Sequence, residues 1–215
     1  AIGIEFAYFF NTFGTKVTVV EMMPTILPVE DEEVSNTLFK VLQKKGMDIH
    51  TVTKVEKVDV AANNVTVTVS SKGKSQTITA DQCLVAIGVQ GNTENIGLDK
   101  IGVTVEKGWI KVDEYYRTNV QGVYAIGDII GAPWLAHVAS HEGIVCVEKI
   151  AGKETHPIDY SSIPGCTYCQ PQVGSIGLTE KKAREKGYEI KVGKFPFSAS
   201  GKARAIGERD GFVKV

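Results

Sequence analysis

A short β-branched strand stands between two helical segments near the start of the sequence, and this order constrains the fold more than any other feature. Residues 1–14, AIGIEFAYFFNTFG, carry apolar side chains at helical spacing and end on glycine. KVTVVE (16–21) is typical of a strand, and DEEVSNTLFKVLQKKG (31–46) of a helix with acids in its first turn and lysines in its last. Helix, strand and helix in alternation predict an α/β fold with a parallel sheet.

The spacing of apolar residues predicts the buried face of each helix. These residues are Ile2, Phe6, Phe9, Phe10 and Phe13 in the first helix, and Val34, Leu38, Val41 and Leu42 in the second. Two further helices are predicted, one from about residue 135 to about residue 151 and one over TEKKAREKG (179–187).

The later strands are of two kinds. NVTVTV (64–69) alternates apolar and polar residues, as in a half-exposed antiparallel hairpin. LVAIG (84–88) does not alternate, which predicts a strand buried on both faces, and VYAIGD (123–128) is predicted to be another buried strand. The order of these elements predicts a doubly wound nucleotide-binding domain that carries an antiparallel insertion.

Composition narrows the function classes. The net charge of −1 argues against nucleic-acid binding, and no apolar run approaches the ~18 residues of a membrane span. Four cysteines in 215 residues are too few for a disulfide-stapled secreted protein, which predicts a reducing, cytoplasmic setting. The sequence starts within a helical pattern and stops within a strand pattern, so we expect a piece of a longer protein.

The first residues match the end of a dinucleotide-binding fingerprint. Ala1, Ile2 and Gly3 fit the last three positions of Gly-x-Gly-x-x-Gly, where the third glycine lets the helix pack closely on the sheet. Glu21 follows 18 residues later at the end of a strand, where an acid binds both ribose hydroxyls and repels a 2′-phosphate. This pair predicts NAD rather than NADP. The alternative is an ordinary helix glycine and an ordinary acid after a strand.

A second candidate site follows VYAIGD. Gly127 allows a close backbone approach, and Asp128 stands at the carboxyl end of the predicted strand, where its carboxylate can bind a chain of hydroxyl groups. The amides that begin the next helix can bind an acceptor on a ring or a phosphate. The alternative, that Asp128 only caps a helix, is equally compatible with the spacing.

The whole sequence resembles the middle of the flavoprotein pyridine-nucleotide disulfide oxidoreductases. AIGIEFA with VTVVE resembles the nucleotide fingerprint of that family, and LVAIGVQGNTENIGL resembles its return to the flavin domain. TNVQGVYAIGD and PWLAHVASHEG resemble the second flavin motif and the segment along the flavin ring. IPGCTYCQPQVGSIGLTE and SASGKARAIGERDGFVKV resemble the start of the dimerisation domain. The resemblance therefore extends in order along essentially the entire sequence.

This resemblance implies three parts within an α/β fold. They are a Rossmann-like NAD-binding domain (1–92) without its first strand, the C-terminal part of an FAD-binding domain (93–157), and the start of an α+β dimerisation domain (158–215). It also implies an oxidoreductase that uses FAD and NAD, assembles as a homodimer and works with a lipoyl-bearing acyltransferase of a 2-oxo acid dehydrogenase complex. No nucleic acid or membrane partner is implied.

The same resemblance assigns cofactor-binding residues. On the NAD side it implies that Glu21 binds the adenosine ribose, that Val55 lines the adenine pocket and that Gly88 lets the cofactor approach the backbone closely. It also implies that the first five residues lie along the pyrophosphate and the approach to the nicotinamide: Ala1, Ile2, Gly3, Ile4 and Glu5. On the FAD side it implies that Asp128 binds the ribityl chain. It also implies that four residues at the start of the next helix lie near the flavin ring: Trp134, Leu135, Ala136 and His137. Met22, Met23 and Pro24 stand where NADP-using relatives carry arginines, which favours NAD.

The family's catalytic residues are not in this sequence. Its redox-active cysteine pair and its His-Glu pair belong to segments before and after these residues, so we expect no catalytic residue and no turnover from a 215-residue polypeptide. Cys166 and Cys169 have redox-type spacing, but we interpret them as structural because strand residues three apart point to opposite faces. Of the two helix acids Glu5 and Glu142, Glu5 has the stronger functional claim.

The reaction has alternatives within the family and outside it. A soluble transhydrogenase, a mercuric reductase or a glutathione-type reductase would share these motifs, because the missing segments choose the substrate. A non-catalytic dinucleotide-binding module is the alternative from another class.

Overall fold

The computed structural model describes all 215 residues as an α/β protein. Its helices are α1 (Ile2–Thr12), α2 (Glu32–Lys44), α3 (Ala136–Ile150), α4 (Glu180–Glu185) and α5 (Gly201–Ala205). Its strands are β1 (Thr18–Val20), β2 (Asp48–His50), β3 (Lys54–Val60), β4 (Val65–Ser71), β5 (Lys74–Ala80), β6 (Val105–Glu106), β7 (Trp109–Ile110), β8 (Gly165–Thr167), β9 (Val173–Ser175), β10 (Lys194–Pro196) and β11 (Phe212–Lys214). Two compact units result: unit 1 is Ala1–Ile87 with Pro164–Val215, and unit 2 is Gly88–Ile163.

Unit 1 confirms the predicted parallel pairing. β1 lies parallel to β2, with Val19 opposite Ile49. The core against these strands is apolar and comes from α1, α2 and the loop between β1 and α2. Its members include Ile4, Ala7, Ile26, Leu27, Leu38, Leu42, Met47, Cys169 and Val173. The last two show that residues after Pro164 share one core with the beginning of the chain.

The α2 helix follows its sequence pattern. Asp31 caps its start, since its side chain accepts the backbone N–H of Glu33 at 3.0 Å. Leu38, Val41 and Leu42 are buried as predicted. The helix is therefore specified by a local cap and a local apolar stripe.

The predicted antiparallel hairpin is present. β4 pairs with β3 on one side and with β5 on the other, forming a three-stranded sheet. Val65, Val67 and Val69 alternate with half-buried residues on β4, and Val20 and Ile78 pack against them. The alternation in the sequence correctly indicated a sheet with one covered face.

The prediction of a buried strand at LVAIG (84–88) is wrong. These residues form no strand, and Leu84, Val85 and Ile87 are 56%, 67% and 95% exposed. A parallel strand needs a neighbour with which to share its N–H and C=O groups, and no other segment of this chain pairs with 84–88. The non-alternating pattern identified an apolar segment but not a partner for it.

The strand predicted at VYAIGD is also wrong. Only an isolated bridge joins Tyr124 to Arg117, and a short 3-10 turn, Gly127–Ile130, contains the Gly-Asp pair. Backbone hydrogen bonds fold residues 116–125 back on themselves, with the N–H of Ala125 donating to the carbonyl of Tyr116 at 3.0 Å. This local turn uses the backbone N–H and C=O groups that a β-strand at VYAIGD would need for pairing with a neighbouring strand.

The apolar face predicted for the first helix is not the buried one. Ile4 and Ala7 are buried, whereas the five predicted residues are 40% to 77% exposed: Ile2, Phe6, Phe9, Phe10 and Phe13. The aromatic rings of this face pack on each other, Phe9 against Phe13 with centroids 4.9 Å apart. Helical spacing located the helix but selected the wrong side of it.

Unit 2 is organised around α3. Tyr116, Val145 and Cys146 form its buried cluster, and half-buried Tyr115, Tyr124 and Ile158 pack against it. β6 and β7 form a small antiparallel pair in the same unit. No helix in the chain is both long enough and apolar enough to cross a membrane.

The last strands close unit 1 with an ion cluster. β10 and β11 pair antiparallel, and Lys214 on β11 lies 3.0 Å from Asp31, 2.8 Å from Glu180 and 3.5 Å from Glu33. Its side chain is only 12% exposed. One lysine thus joins the start of α2 to the start of α4.

Candidate functional site

Glu21 lies directly after β1, at the carboxyl end of the parallel pair. Its N–H donates to the carbonyl of His50, and its carbonyl accepts the N–H of Thr53 at 3.0 Å. One carboxylate oxygen accepts the N–H of Met23 at 2.8 Å, and the other has no partner within the chain. The acid is therefore fixed at the end of the strand with one oxygen available, which suits a ligand that donates hydroxyl groups.

The start of α1 approaches the segment before Gly88 closely. A Cβ atom on Gly3 would lie 3.4 Å from the Cβ atom of Ala86, so the helix start and this segment approach each other closely there. No side chain caps α1 at Ala1. A helix start without a side-chain cap is a suitable place for a phosphate group.

Glu5 has a partner that the sequence did not predict. Its carboxylate accepts the backbone N–H of Tyr168 at 2.7 Å, which ties α1 to the turn after β8. The remaining predicted NAD residues are distributed more widely: Ile4 is buried, Val55 is half-exposed on β3, and Gly88 begins unit 2 with φ +154°. The structure thus brings Ala1 to Glu5 together on one helix start, with Glu21 and Val55 elsewhere in the same unit.

The Gly-Asp turn rests on the face of α3 that carries small residues. A Cβ atom on Gly127 would lie 3.3 Å from the Cβ atom of Ala139, and one on Gly143 would lie 3.2 Å from Ile126. Gly127 also has φ +76°, a left-handed conformation that favours glycine. Asp128 next to it is exposed, and its carboxylate makes no hydrogen bond within the chain. An exposed, unpartnered carboxylate on a rigid turn fits the binding of a polyhydroxyl chain.

The loop before α3 is held by two stacked indoles. Trp134 stacks on Trp109 with ring centroids 5.5 Å apart and planes inclined by 28°. Trp134 is 42% exposed, and the helix begins two residues later without a side-chain cap at Leu135. Leu135, Ala136 and His137 follow on this helix start, so the four predicted flavin-ring residues are consecutive beside the Gly-Asp turn, which contacts the same helix.

A buried acid, Glu142, supports the Gly-Asp turn, whereas the sequence favoured Glu5 as the functional acid. Glu142 is 3% exposed; its oxygens accept the N–H of Gly127 at 2.6 Å and the O–H of Tyr160 at 2.7 Å. Burial, together with the hydrogen bonds to Tyr116 and Glu142, raises the pKa of Tyr160 far above the usual tyrosine value. The sequence contained one signal: Glu142 falls within the apolar stripe of α3, between Val138 and Val145.

Cys166 and Cys169 are free thiols. Cys166 lies on β8, but Cys169 lies two residues after the end of that strand and is buried, so the predicted placement of both cysteines on one strand is wrong. Burial raises the pKa of Cys169 to about 11, so little thiolate forms at neutral pH. No cluster of His, Cys, Asp and Glu in the chain could hold a metal ion.

Unit 1 has the alternating helix and strand order of a doubly wound α/β protein. The family model of the pyridine nucleotide-disulphide oxidoreductases matches residues 1–143, and the model of their dimerisation domain matches residues 163–215. The chain belongs to the pyridine nucleotide-disulphide oxidoreductase family. The family and the α/β fold class predicted from the sequence are confirmed, and FAD and NAD, the predicted cofactors, are those of this family.

Two relatives from bacteria match over the entire chain. A dihydrolipoyl dehydrogenase of Rhizobium etli is 56% identical over 217 residues, which cover 100% of this chain and 45% of that protein. A dihydrolipoyl dehydrogenase of Zymomonas mobilis is 50% identical and is covered to 47%. The chain therefore spans about half the length of the curated relatives it matches.

Solved structures agree with the fold. The HOCl-induced flavoprotein disulfide reductase RclA from Escherichia coli has a TM-score of 0.88 at 29% identity, covering 99% of this chain and 48% of that one. LpdA from Mycobacterium tuberculosis has a TM-score of 0.88 at 26% identity, covering 99% of this chain and 46% of that one.

Proposed function

We propose that the full-length protein is an FAD-dependent dihydrolipoyl dehydrogenase. It oxidises dihydrolipoamide to lipoamide and reduces NAD⁺ to NADH with release of one proton. The observation that carries this proposal is the end-to-end match of the chain to dihydrolipoyl dehydrogenases at 45% to 56% identity.

The NAD half of the site belongs to the first residues and to Glu21. The start of α1, Ala1 to Glu5, faces the pyrophosphate and the nicotinamide approach, and Gly3 keeps this helix close to the neighbouring backbone. Glu21 binds the adenosine ribose through the oxygen that no residue of the chain occupies. Val55 lines the adenine pocket, and Gly88 permits the cofactor to approach.

The FAD half of the site belongs to the Gly-Asp turn and the start of α3. Bound FAD supplies the two-electron relay between the dithiol and the nicotinamide. Asp128 holds the ribityl hydroxyl groups, and the segment from Trp134 to His137 lies along the ring and excludes water from it. The disulfide chemistry is assigned to no residue of this chain.

The full-length protein is proposed to be a cytoplasmic homodimer. The match to the dimerisation-domain model over residues 163–215 supports the dimer, and the low cysteine content, four in 215 residues, supports a reducing compartment. Within this scheme residues 1–92 form the NAD-binding domain, 93–157 part of the FAD-binding domain and 158–215 the start of the dimerisation domain. A lipoyl-bearing acyltransferase of a 2-oxo acid dehydrogenase complex is the proposed partner.

The test is an assay of the full-length protein beside the 215-residue polypeptide, each first checked by denaturing intact mass. We expect the full-length protein to be yellow and to reduce NAD⁺ with dihydrolipoamide, and the 215-residue polypeptide to show no such turnover. Reduction of another disulfide without dihydrolipoamide activity would instead indicate a flavoprotein disulfide reductase, as RclA is named. A colourless full-length protein would contradict the flavoenzyme itself.

Replacing Glu21 with Gln in the full-length enzyme is expected to raise the KM for NAD⁺ about tenfold, because a charged hydrogen bond to the ribose is lost. The preference for NAD⁺ over NADP⁺ is expected to narrow, since the carboxylate no longer repels a 2′-phosphate. Steady-state kinetics with both nucleotides measures this. Glu30→Gln, in the loop that follows, is the control; an unchanged KM in Glu21→Gln would remove Glu21 from the site.

A further inference from the structure

We propose that Glu142 is a positioning residue for the flavin site, acting through the Gly-Asp turn and held by a chain of two tyrosines. This inference rests on the proposed FAD site at Asp128. It assigns a role to a buried acid that touches neither cofactor nor substrate.

Each oxygen of the Glu142 carboxylate accepts one hydrogen bond. One oxygen accepts the backbone N–H of Gly127 at 2.6 Å, and the other accepts the phenol O–H of Tyr160 at 2.7 Å. The side chain is on a 15-residue helix and is 3% exposed, so it has little freedom to reorient. A buried hydrogen bond is electrostatically stronger than one in water, and here one such bond holds the residue next to Asp128.

The second donor is itself held in place. The hydroxyl groups of Tyr160 and Tyr116 are 3.2 Å apart, and because Tyr160 donates to Glu142, Tyr116 donates to Tyr160. Tyr116 is 2% exposed and has φ +68°, a conformation that bulky residues rarely adopt. Strained backbone persists where surrounding contacts determine it, and such positions concentrate near functional sites.

Packing and hydrogen bonding act on the same turn. Ala139 and Gly143, on either side of Glu142 along the helix face, are small enough for residues 126–127 to lie against α3. Contact with these small residues sets the distance of the turn from the helix, and Glu142 sets the direction of the Gly127 peptide. Together they fix where the unpartnered carboxylate of Asp128 points.

The experiment measures the dissociation constant for FAD of the full-length protein after removal and return of the flavin. Glu142→Leu removes both acceptors and is expected to weaken FAD binding at least about tenfold, which corresponds to about 1.4 kcal/mol. Glu142→Gln keeps one oxygen for the Gly127 N–H and is expected to stay within about threefold of wild type. Tyr160→Phe removes a single oxygen atom and is expected to fall between them. The visible circular dichroism of the bound flavin is expected to change most in Glu142→Leu, less in Tyr160→Phe and least in Glu142→Gln.

Matched controls separate positioning from general damage. Glu148→Gln lies on the same helix, and Tyr124→Phe removes a hydroxyl group that makes no hydrogen bond within the chain; both are expected to bind FAD like wild type. If Glu142→Leu does not fold, the proposal is tested with Tyr160→Phe and Glu142→Gln. Wild-type FAD affinity and an unchanged flavin spectrum in Tyr160→Phe would overturn the proposed role of Glu142 and the two tyrosines.

The outcomes also separate this inference from the proposed function. If the wild-type protein binds FAD and Asp128→Ala weakens binding while Glu142→Leu does not, the positioning role alone fails. If the wild-type protein binds no flavin, the proposed function fails. If Glu142→Leu weakens FAD binding and Glu142→Gln restores it, the positioning role is supported.

Discussion

Replacing Gly127 with Ala is expected to weaken FAD binding by the full-length protein about tenfold or more. Gly127 has φ +76°, where a residue with a Cβ atom carries about 1 to 2 kcal/mol of strain. The new Cβ atom would lie 3.3 Å from the Cβ atom of Ala139, so it also presses on α3. We expect the variant without FAD to relieve the backbone strain and the contact with Ala139 by rotating the peptide at residue 127. FAD binding must then restore the strained turn, which lowers the affinity. Titration of the apoprotein with FAD measures the effect.

Gly122 provides the control for this substitution. It has φ +83°, nearly the same conformation, but nothing lies within 4 Å of a Cβ atom built there. Gly122→Ala is expected to lower the stability of the protein by a similar strain energy and to leave FAD affinity unchanged. Equal losses of FAD affinity in the two variants would show that strain anywhere in unit 2, rather than the turn beside Asp128, controls binding.

Replacing Lys214 with Met is expected to lower the free energy of unfolding by about 2 kcal/mol, which is less than for a fully buried pair because the cluster is partly exposed. The substitution removes the cation that lies between Asp31 and Glu180. Asp31 then has no cationic partner, whereas Glu180 keeps its ion pair with Arg184. Urea unfolding measures the loss. Lys194→Met is the control, because the side chain of Lys194 forms an ion pair with Glu33 alone and is 49% exposed; this substitution is expected to have little effect.

The destabilisation should depend on pH in a defined direction. Burial alone would raise the pKa of Asp31, but the hydrogen bond and charge of Lys214 outweigh it and lower the pKa; Lys214 lowers the pKa of Glu180 as well. A carboxylate whose pKa is lower in the folded state than in the unfolded state stabilises the fold at every pH above its unfolded pKa. This stabilisation is lost as the pH falls through its folded pKa. We therefore expect the wild type and Lys214→Met to converge in stability below about pH 4.

The stability that Lys214 contributes should also be lost at alkaline pH, because the lysine itself then loses its charge. Burial alone would lower the pKa of Lys214, but hydrogen bonds to Glu180 and Asp31 raise it above the usual value. Its contribution is complete below the unfolded pKa of about 10.4 and is lost as the pH rises through the folded pKa. A difference in stability between the two proteins that does not shrink as the pH falls from 7 to 3 would contradict the ion cluster as its cause. A difference that does not shrink as the pH rises above about 10.4 would contradict the part played by the lysine charge.

Elements with local signals were predictable from the sequence. α2 has its own cap at Asp31, its own charge order and a stripe ending in Leu42, and each of these acts within a few residues. The hairpin around β4 likewise follows from alternation between neighbouring strands. In both cases the partner that buries the apolar side is close in sequence or is the same element.

Predictions failed where burial depends on a distant partner. LVAIG (84–88) is as apolar as a central strand, yet no strand of this chain pairs with it. The Phe-rich side of α1 fits helical spacing, but the smaller Ile4 and Ala7 face the core instead. Periodicity reports that a segment has an apolar side; it does not report which other segment covers that side.

The candidate site was partly predictable for the same reason. Glu21 and Asp128 follow recognisable segments, so motif and position located them. The role of Glu142 depends on Gly127 and Tyr160, 15 and 18 residues away in opposite directions, and emerges only when the turn folds onto α3. Cofactor contacts for the thirteen predicted binding residues remain predictions.

The Lys214 cluster has a consequence for the order in which the protein is made. Asp31 and Lys214 are 183 residues apart, so at about 5 to 20 residues per second a ribosome needs about 10 to 40 s between the two. During that interval the start of α2 has only its own cap and helix dipole to neutralise its acids. Unit 1 therefore stays without its final strand pair until unit 2 has been synthesised in full, and unit 2 has this time to fold first.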